Sequence, residues 1–336
     1  MKYSFIIPVK TINAYIRESV PKILEIKRDD FEILIYPDEA TAETWLKTRQ
    51  IASGHCGPAE KRKLALKDAA GDFLIFIDDD AYPEKNILEV LDNDFENEFI
   101  AAVGGPAATP QSDSFLQKVS GAFFLSSLSG GFPERYIPIG KKRFVKDWPS
   151  VNLTVRKSIF GKVGGFDSHY WPGEDTKFCL DVIEKINKNN KILYDPGVIV
   201  WHHRREGLIK HLKQAGSYGL HRGFFAKKYP KTSMKIKYFI PSAFFIFALL
   251  SFVLFVPFVL SVLSVQFVQF VLRLFLLGWL IYLLALIKAF FEIYRHEKSF
   301  SISLYAILYT FLTHLFYGAR FIQGFIFTRN LKSRLR

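Results

Sequence analysis

The first hundred residues alternate short, wholly apolar runs with polar stretches of helical period. YSFIIPV (3–9), FEILIY (31–36), FLIFI (73–77) and Ile100–Val103 read as strands. The runs are continuous rather than alternating, the pattern of strands buried on both faces. Between them Asn13–Lys27, Pro58–Ala70 and Glu84–Leu91 read as helices. Strands and helices in alternation predict a mostly parallel, doubly covered α/β sheet. Further on, VGGPAATPQ is a Gly/Pro loop, Ser114–Leu128 a helical stretch and SLSGGFPERYIPIGKKR a long mobile loop. VNLTVRKSIF reads as a strand and a turn, Glu174–Lys188 as a helix, and KILYDPGVIVW as two strands around Pro196-Gly197.

Beyond Tyr238 the pattern changes. Phe239–Val265, Leu274–Phe291 and Ile302–Phe327 are apolar and long enough to span a bilayer, although the third contains His314, Arg320 and Gln323. The tail TRNLKSRLR is basic and favours the side on which the chain starts, whereas three crossings would leave it opposite. The third segment is therefore expected to be embedded, either crossing against that rule or lying re-entrant or in the interface.

Composition sharpens this division into 1–200, a soluble domain, 201–237, a basic linker or interfacial helix, and 238–336, a membrane region. The net charge is +13, and between Trp201 and Lys237 ten Lys or Arg face one acid, Glu206. A basic cluster abutting apolar spans points to anionic headgroups rather than to nucleic acid. Leu208, Leu212, Leu220, Phe224 and Phe225, mixed with Lys210, Lys213, His221 and Arg222, suggest an interfacial helix. Two cysteines, Cys56 and Cys179, make neither a disulfide framework nor a metal spacing, which fits a reducing compartment. The opening MKYSFIIPVK enters a strand at once, so the soluble part is expected in the cytoplasm, anchored to the cell membrane by several passes.

The candidate chemistry starts at FLIFIDDDAYP, where Asp78, Asp79 and Asp80 follow a buried strand. Open α/β sheets bind ligands at the carboxyl ends of their strands, and adjacent carboxylates repel unless a cation neutralises them. A solvated acidic turn, with Tyr82-Pro83-Glu84 opening a helix, is the alternative. Pro8 and Asp38 end the first two strands on the same expected edge, and Lys61, Arg62 and Lys63 lie in the second helix. VGGFDSHYWPGED and VIVWHHRR complete the set.

Together, IIPV, the Asp after the second strand, the basic helix, FIDDD, GGF and ED resemble a family 2 glycosyltransferase of GT-A (Rossmann-like) fold, over about residues 3–230. The apolar tail resembles the family's membrane-bound branch. The resemblance implies a metal-dependent hexosyltransferase that moves a sugar from a nucleotide-sugar donor to an acceptor. It places Pro8, Asp38, Arg62, Asp78, Asp79 and Arg205 at the nucleotide, Asp80, Asp78 and His202 at Mg²⁺ or Mn²⁺, and Asp175, with Glu174, at the catalytic base. YPDEAT departs from the family's usual acidic pair with Gly-Ser, which bears on the nucleobase. Tyr170 and Trp171 would wall the sugar. The expected reaction is inverting transfer to a lipid-linked or glycolipid acceptor at the cytoplasmic face. The alternatives are a processive polysaccharide synthase, of whose Gln-x-x-Arg-Trp signature QAGSY supplies only Gln214, and a non-catalytic membrane protein that retains a nucleotide-binding domain.

Overall fold

The buried strands form where the sequence places uninterrupted apolar runs between turns: β1 (Tyr3–Pro8), β2 (Phe31–Tyr36), β4 (Phe73–Ile77) and β6 (Ile100–Gly104) are buried along their whole length. The structure, a computed structural model, describes residues 1–129, 133–170, 172–186, 191–254 and 265–331. Trp171, the middle of the loop at 127–143, the last residues of the helix expected to end at 188, the end of the first apolar stretch and most of the basic tail lie outside the described residues.

Shorter strands are β3 (Thr48–Gln50), β5 (Ala81–Pro83), β7 (Ala107–Ala108), β8 (Arg143–Val145), β9 (Asn152–Arg156), β10 (Lys191–Tyr194) and β11 (Val200–His202). Eight strands make one sheet in the order β3-β2-β1-β4-β9-β6-β10-β8. It is parallel from β3 to β4 and mixed beyond, because β9 runs antiparallel to both β4 and β6. A second sheet has the order β5-β11-β7.

Six helices accompany the strands: α1 (Ala14–Leu24), α2 (Pro58–Asp68), α3 (Ile87–Phe95), α4 (Phe115–Ala122), α5 (Lys157–Val163) and α6 (Glu174–Lys185). One face of the large sheet packs Phe5, Ile7 and Ile75 with Ile16 and Val20 of α1 and Leu88 and Leu91 of α3. The other packs Ile6, Leu74 and Phe76 with Ala65 of α2, Phe160 of α5 and Phe178 of α6. Fully burying a side chain such as Phe76 contributes about 1.5–3 kcal/mol.

The structure departs from the expected helices at two places. Tyr82-Pro83-Glu84 does not open a helix. Tyr82 and Pro83 pair with Trp201 and Val200, Glu84 N–H donates to the Ile199 carbonyl at 3.0 Å, and α3 starts only at Ile87. The helix expected at 114–128 shortens to α4, closed at its start by reciprocal Ser114 and Gln117 bonds and followed by 3₁₀ turns at Phe123–Leu125 and Ser127–Ser129. In VGGP, a methyl group at Gly104 would lie 2.1 Å from Trp148 Cδ1, and one at Gly105 would lie 1.7 Å from the Val198 carbonyl oxygen. Only glycine admits those neighbours.

The chain divides into two compact units, one of 1–113, 134–203 and 330–336, the other of 114–133 and 204–329. Among the described residues the second contains α4 and five further helices: α7 (Leu208–Lys228), α8 (Pro230–Ser233), α9 (Ile236–Leu254), α10 (Val265–Glu297) and α11 (Phe300–Ile322). A π turn, Gln323–Phe327, extends α11. Ile236–Val253, Gln266–Glu297 and Phe300–Phe327 are each long and apolar enough to cross a membrane.

Candidate active site

Because β1, β2 and β4 are parallel, Pro8, Asp38 and the Asp triplet leave the sheet at one edge. Asp38 accepts from Lys61, whose ammonium also donates to the Val9 carbonyl at 2.6 Å, and His55 Nδ1 lies 3.1 Å from its other oxygen. The Lys61 ammonium, and then His55, hold the Asp38 carboxyl below the usual carboxylate range.

The second sheet supplies the other half. Its register sets His202 opposite Ala81, and His203 N–H donates to the Asp80 carbonyl at 3.0 Å. His202 Nε2 consequently lies 3.2 Å from Asp80 Oδ1. One ligand atom each from Asp78, Asp80 and His202 lie within 4.8 Å of one another. Two carboxylates and an imidazole make a donor set suited to a divalent ion of the Mg²⁺ or Mn²⁺ kind, so these residues fit one. Asp79 turns the other way, accepting from Asn13 Nδ2 at 2.7 Å, while Asn13 Oδ1 caps α1 at Ile16 N–H.

Arg62 joins the triplet to the ED motif. It donates to Asp78 from one terminal nitrogen and to Glu174 Oε1, at 3.0 Å, from the other. The guanidinium lies 5.9 Å from the ring of Phe166, and Phe166 is set into the core by the left-handed turn of Gly164 (φ 92°) and Gly165 (φ 78°). Glu174 is 3% exposed. Burial first, then the neighbouring Asp175, raise its carboxyl above the usual range, against the pull of Arg62. Asp175 is half-buried and accepts from Ser150 N–H at 3.3 Å and Thr176 N–H at 2.7 Å.

The edge thus gathers Pro8, Asp38, Arg62, Asp78, Asp79, Asp80, Glu174, Asp175 and His202 within the first unit. Arg205 belongs to the second unit, where its carbonyl accepts from Ser120 Oγ at 2.7 Å. Sequence reasoning missed the support behind His202. His203 pairs through Nδ1 with Asp113 and through Nε2, at 3.2 Å, with Glu18, and lies against Tyr15 with ring centroids 5.0 Å apart. Burial opposes protonation of His203, but Asp113 and Glu18 outweigh it and raise the imidazole above its ordinary value. The second imidazole of VIVWHHRR was the signal, although nothing local pointed to Asp113.

Residues 4–164 match the family model described as Glycosyl transferase family 2. This segment belongs to that family. Most of this segment lies in the first unit, which carries the candidate site at the strand ends described above. The chain is 25% identical over 269 residues, 74% of its own length and 80% of the relative's, to the dolichyl N-acetyl-α-D-glucosaminyl phosphate 3-β-D-2,3-diacetamido-2,3-dideoxy-β-D-glucuronosyltransferase of Methanococcus voltae. It is 30% identical over 102 residues to the poly(ribitol-phosphate) β-N-acetylglucosaminyltransferase TarS of Staphylococcus aureus, a match covering 26% of this chain and 18% of that protein. Among solved structures, S. aureus TarS 1-349 with UDP-GlcNAc aligns at a TM-score of 0.45 and 17% identity, covering 66% of each chain. The mannosyltransferase PcManGT of Pyrobaculum calidifontis with GDP-Man and Mn²⁺ aligns at 0.46 and 15% identity, covering 66% of this chain and 63% of that one.

Proposed function

We propose that this glycosyltransferase transfers a hexosyl group from a nucleotide sugar to a lipid-linked acceptor with inversion, at the cytoplasmic face of a membrane. The observation that carries the reading is the Arg62 bridge, which couples Asp78 of the Asp-Asp-His group to the ED motif at the start of α6. It joins a diphosphate-neutralising site to a half-buried carboxylate. The M. voltae relative, whose name carries a dolichyl-linked sugar phosphate, supports the acceptor class. The apolar helices α9 and α10 support transfer at a membrane.

In this reading Asp38 and Pro8 border the nucleobase, with Lys61 fixing the orientation of Asp38. Asp78 serves the ribose and, with Asp80 and His202, would hold the divalent ion, while Asp79 fixes the triplet to α1. The bound ion would neutralise charge on the departing diphosphate. The acceptor oxygen attacks the anomeric carbon from the face opposite that leaving group. The carbon–oxygen bond to the nucleoside diphosphate breaks as the new glycosidic bond forms, and Asp175 takes the hydroxyl proton. Glu174 and Arg62 hold Asp175 and Asp78 in register.

The test is incubation of the full chain in vesicles with a panel of labelled nucleotide sugars and extracted lipids. Label is expected in the lipid fraction with one donor, and with inverted anomeric configuration. Donor hydrolysis without labelled lipid, or label in an extended polymer, would overturn the acceptor assignment.

A further inference from the structure

The third apolar helix has the length of a span, yet both of its ends are held beside segments that flank the soluble part of the chain. At its C-terminal end, Lys227 of α7 donates to the Thr328 carbonyl at 2.8 Å. Phe239, at the start of α9, packs on Phe321 and Phe325 with ring centroids 4.7 and 5.5 Å apart. The end of α11 therefore sits where α9 begins. At its N-terminal end, Tyr305 packs edge-on against Phe115 of α4 with ring centroids 5.5 Å apart. The preceding helix, α10, is tied to the same stretch, since Glu292 accepts from Ser127 N–H at 2.7 Å. Ser114–Pro133 leaves the first unit's sequence and returns to it, so the start of α11 also lies on the side from which α9 enters.

The flank of α11 agrees. α7 runs beside it in the same direction: His211 meets Thr313 at 3.0 Å, and Gly216, Gly219 and Gly223 face Phe316, Tyr317 and Phe321. A methyl group at Gly223 would lie 2.1 Å from the Phe321 carbonyl oxygen, so the two backbones are in direct contact. α7 carries exposed Lys210 and Lys213 near one end and Lys227 and Lys228 at the other. Among the described residues α7 is not one of the helices long and apolar enough to cross a membrane, and α11 packs directly along it. The polar groups of α11 turn inward, with Thr313 on His211 and His314 Nε2 on the Leu128 carbonyl at 2.8 Å. Its outer face exposes Phe300, Leu304, Tyr305 and Leu308, continued on α4 by Phe115 and Leu116. α10 differs: its most apolar stretch of 18 residues holds no buried residue, whereas Ala289 and Ile293, near its C-terminal end, are fully buried.

We infer that α9 and α10 form a two-span hairpin and that α11 does not cross. With α4 and α7 it forms a platform lying on the membrane surface, its apolar stripe in the acyl boundary and its cations, Lys118, Arg320 and Lys228 among them, among anionic headgroups. An even number of crossings returns the basic tail to the side of the catalytic unit, as the positive-inside rule requires. This inference rests on α9 and α10 being embedded, not on the reaction proposed above.

The experiment uses the full chain in sealed vesicles of uniform orientation containing anionic lipid. In a Cys56→Ser background, with buried Cys179 kept, single cysteines are placed at exposed Glu39 and Arg329, and Asn330→Cys serves if Arg329→Cys expresses poorly. A membrane-impermeant maleimide should label the tail cysteine and Glu39→Cys from the same side. Opposite sidedness would overturn the inference. A fluorophore on Leu308→Cys should be quenched more by a shallow nitroxide lipid than by one near the acyl chain ends. The reverse order would place α11 across the bilayer and overturn it equally.

Discussion

The guanidinium of Arg62 lies 3.0 Å from the carboxylate of Glu174, and each side chain is 4% exposed. Removing one partner of a buried pair leaves the other uncompensated, at a cost of about 3–5 kcal/mol. Arg62→Met should therefore lower the thermal midpoint by about 2–4 °C per kcal/mol lost in a unit of this size. Glu174→Gln alters the acceptor that Arg62 holds, so the double variant should be less destabilised than the two single changes sum to. Thermal unfolding of the four proteins measures this. Strict additivity would mean that the contact does not couple the Asp triplet to the ED motif.

Asp80, His202 and Asp78 supply the donors for the divalent ion in the proposed reaction. Asp80→Ala, or a chelator acting on the unaltered protein, should abolish metal-dependent nucleotide binding and transfer. His202→Ala should weaken metal binding while leaving two carboxylates, so added metal should restore part of its activity. Titration calorimetry with Mn²⁺ follows both variants. Undiminished transfer in excess chelator would end the assignment.

Asp175→Asn keeps the shape of the side chain and cannot take a proton. Transfer should fall about 10²-fold or more, the range for losing a general base, with donor affinity nearly unchanged. A collapse of affinity with turnover of the bound donor intact would make Asp175 a structural acceptor for Ser150 and Thr176 N–H.

The sheet edge was legible because local and tertiary signals agree there. FEILIY and FLIFI became β2 and β4 at the expected residues, and their parallel pairing with β1 is what aligns Pro8, Asp38 and Asp78. Legibility failed where distant pairing decided the local conformation. Tyr82-Pro83 has the form of a helix start and becomes a strand because β11, more than a hundred residues later, supplies its partner. The same pairing brings His202 to Asp80, and the bond from Asp113 to His203 spans ninety residues with no local mark. The basic stretch 204–237 was legible as charge but not as packing. The faces of Gly216, Gly219 and Gly223 acquire meaning only against α11.

That basic stretch yields the remaining prediction. Lys210, Lys213, Lys228 and Lys231 are exposed on or just after α7. Beside an anionic leaflet each contributes about 1 kcal/mol at best, reduced by salt within a Debye length of about 8–10 Å. Allowing for screening and imperfect geometry, neutralising all four to Gln should weaken productive engagement of anionic vesicles about tenfold, equivalent to about 1.4 kcal/mol. The effect should appear in KM for a lipid acceptor and in its salt dependence. Donor affinity should not change, because these lysines lie outside the unit that holds the nucleotide edge. The measurement is transfer in vesicles of increasing anionic lipid content at low and high salt. A KM that ignores both lipid charge and salt in the unaltered protein would assign the basic residues a solvated role.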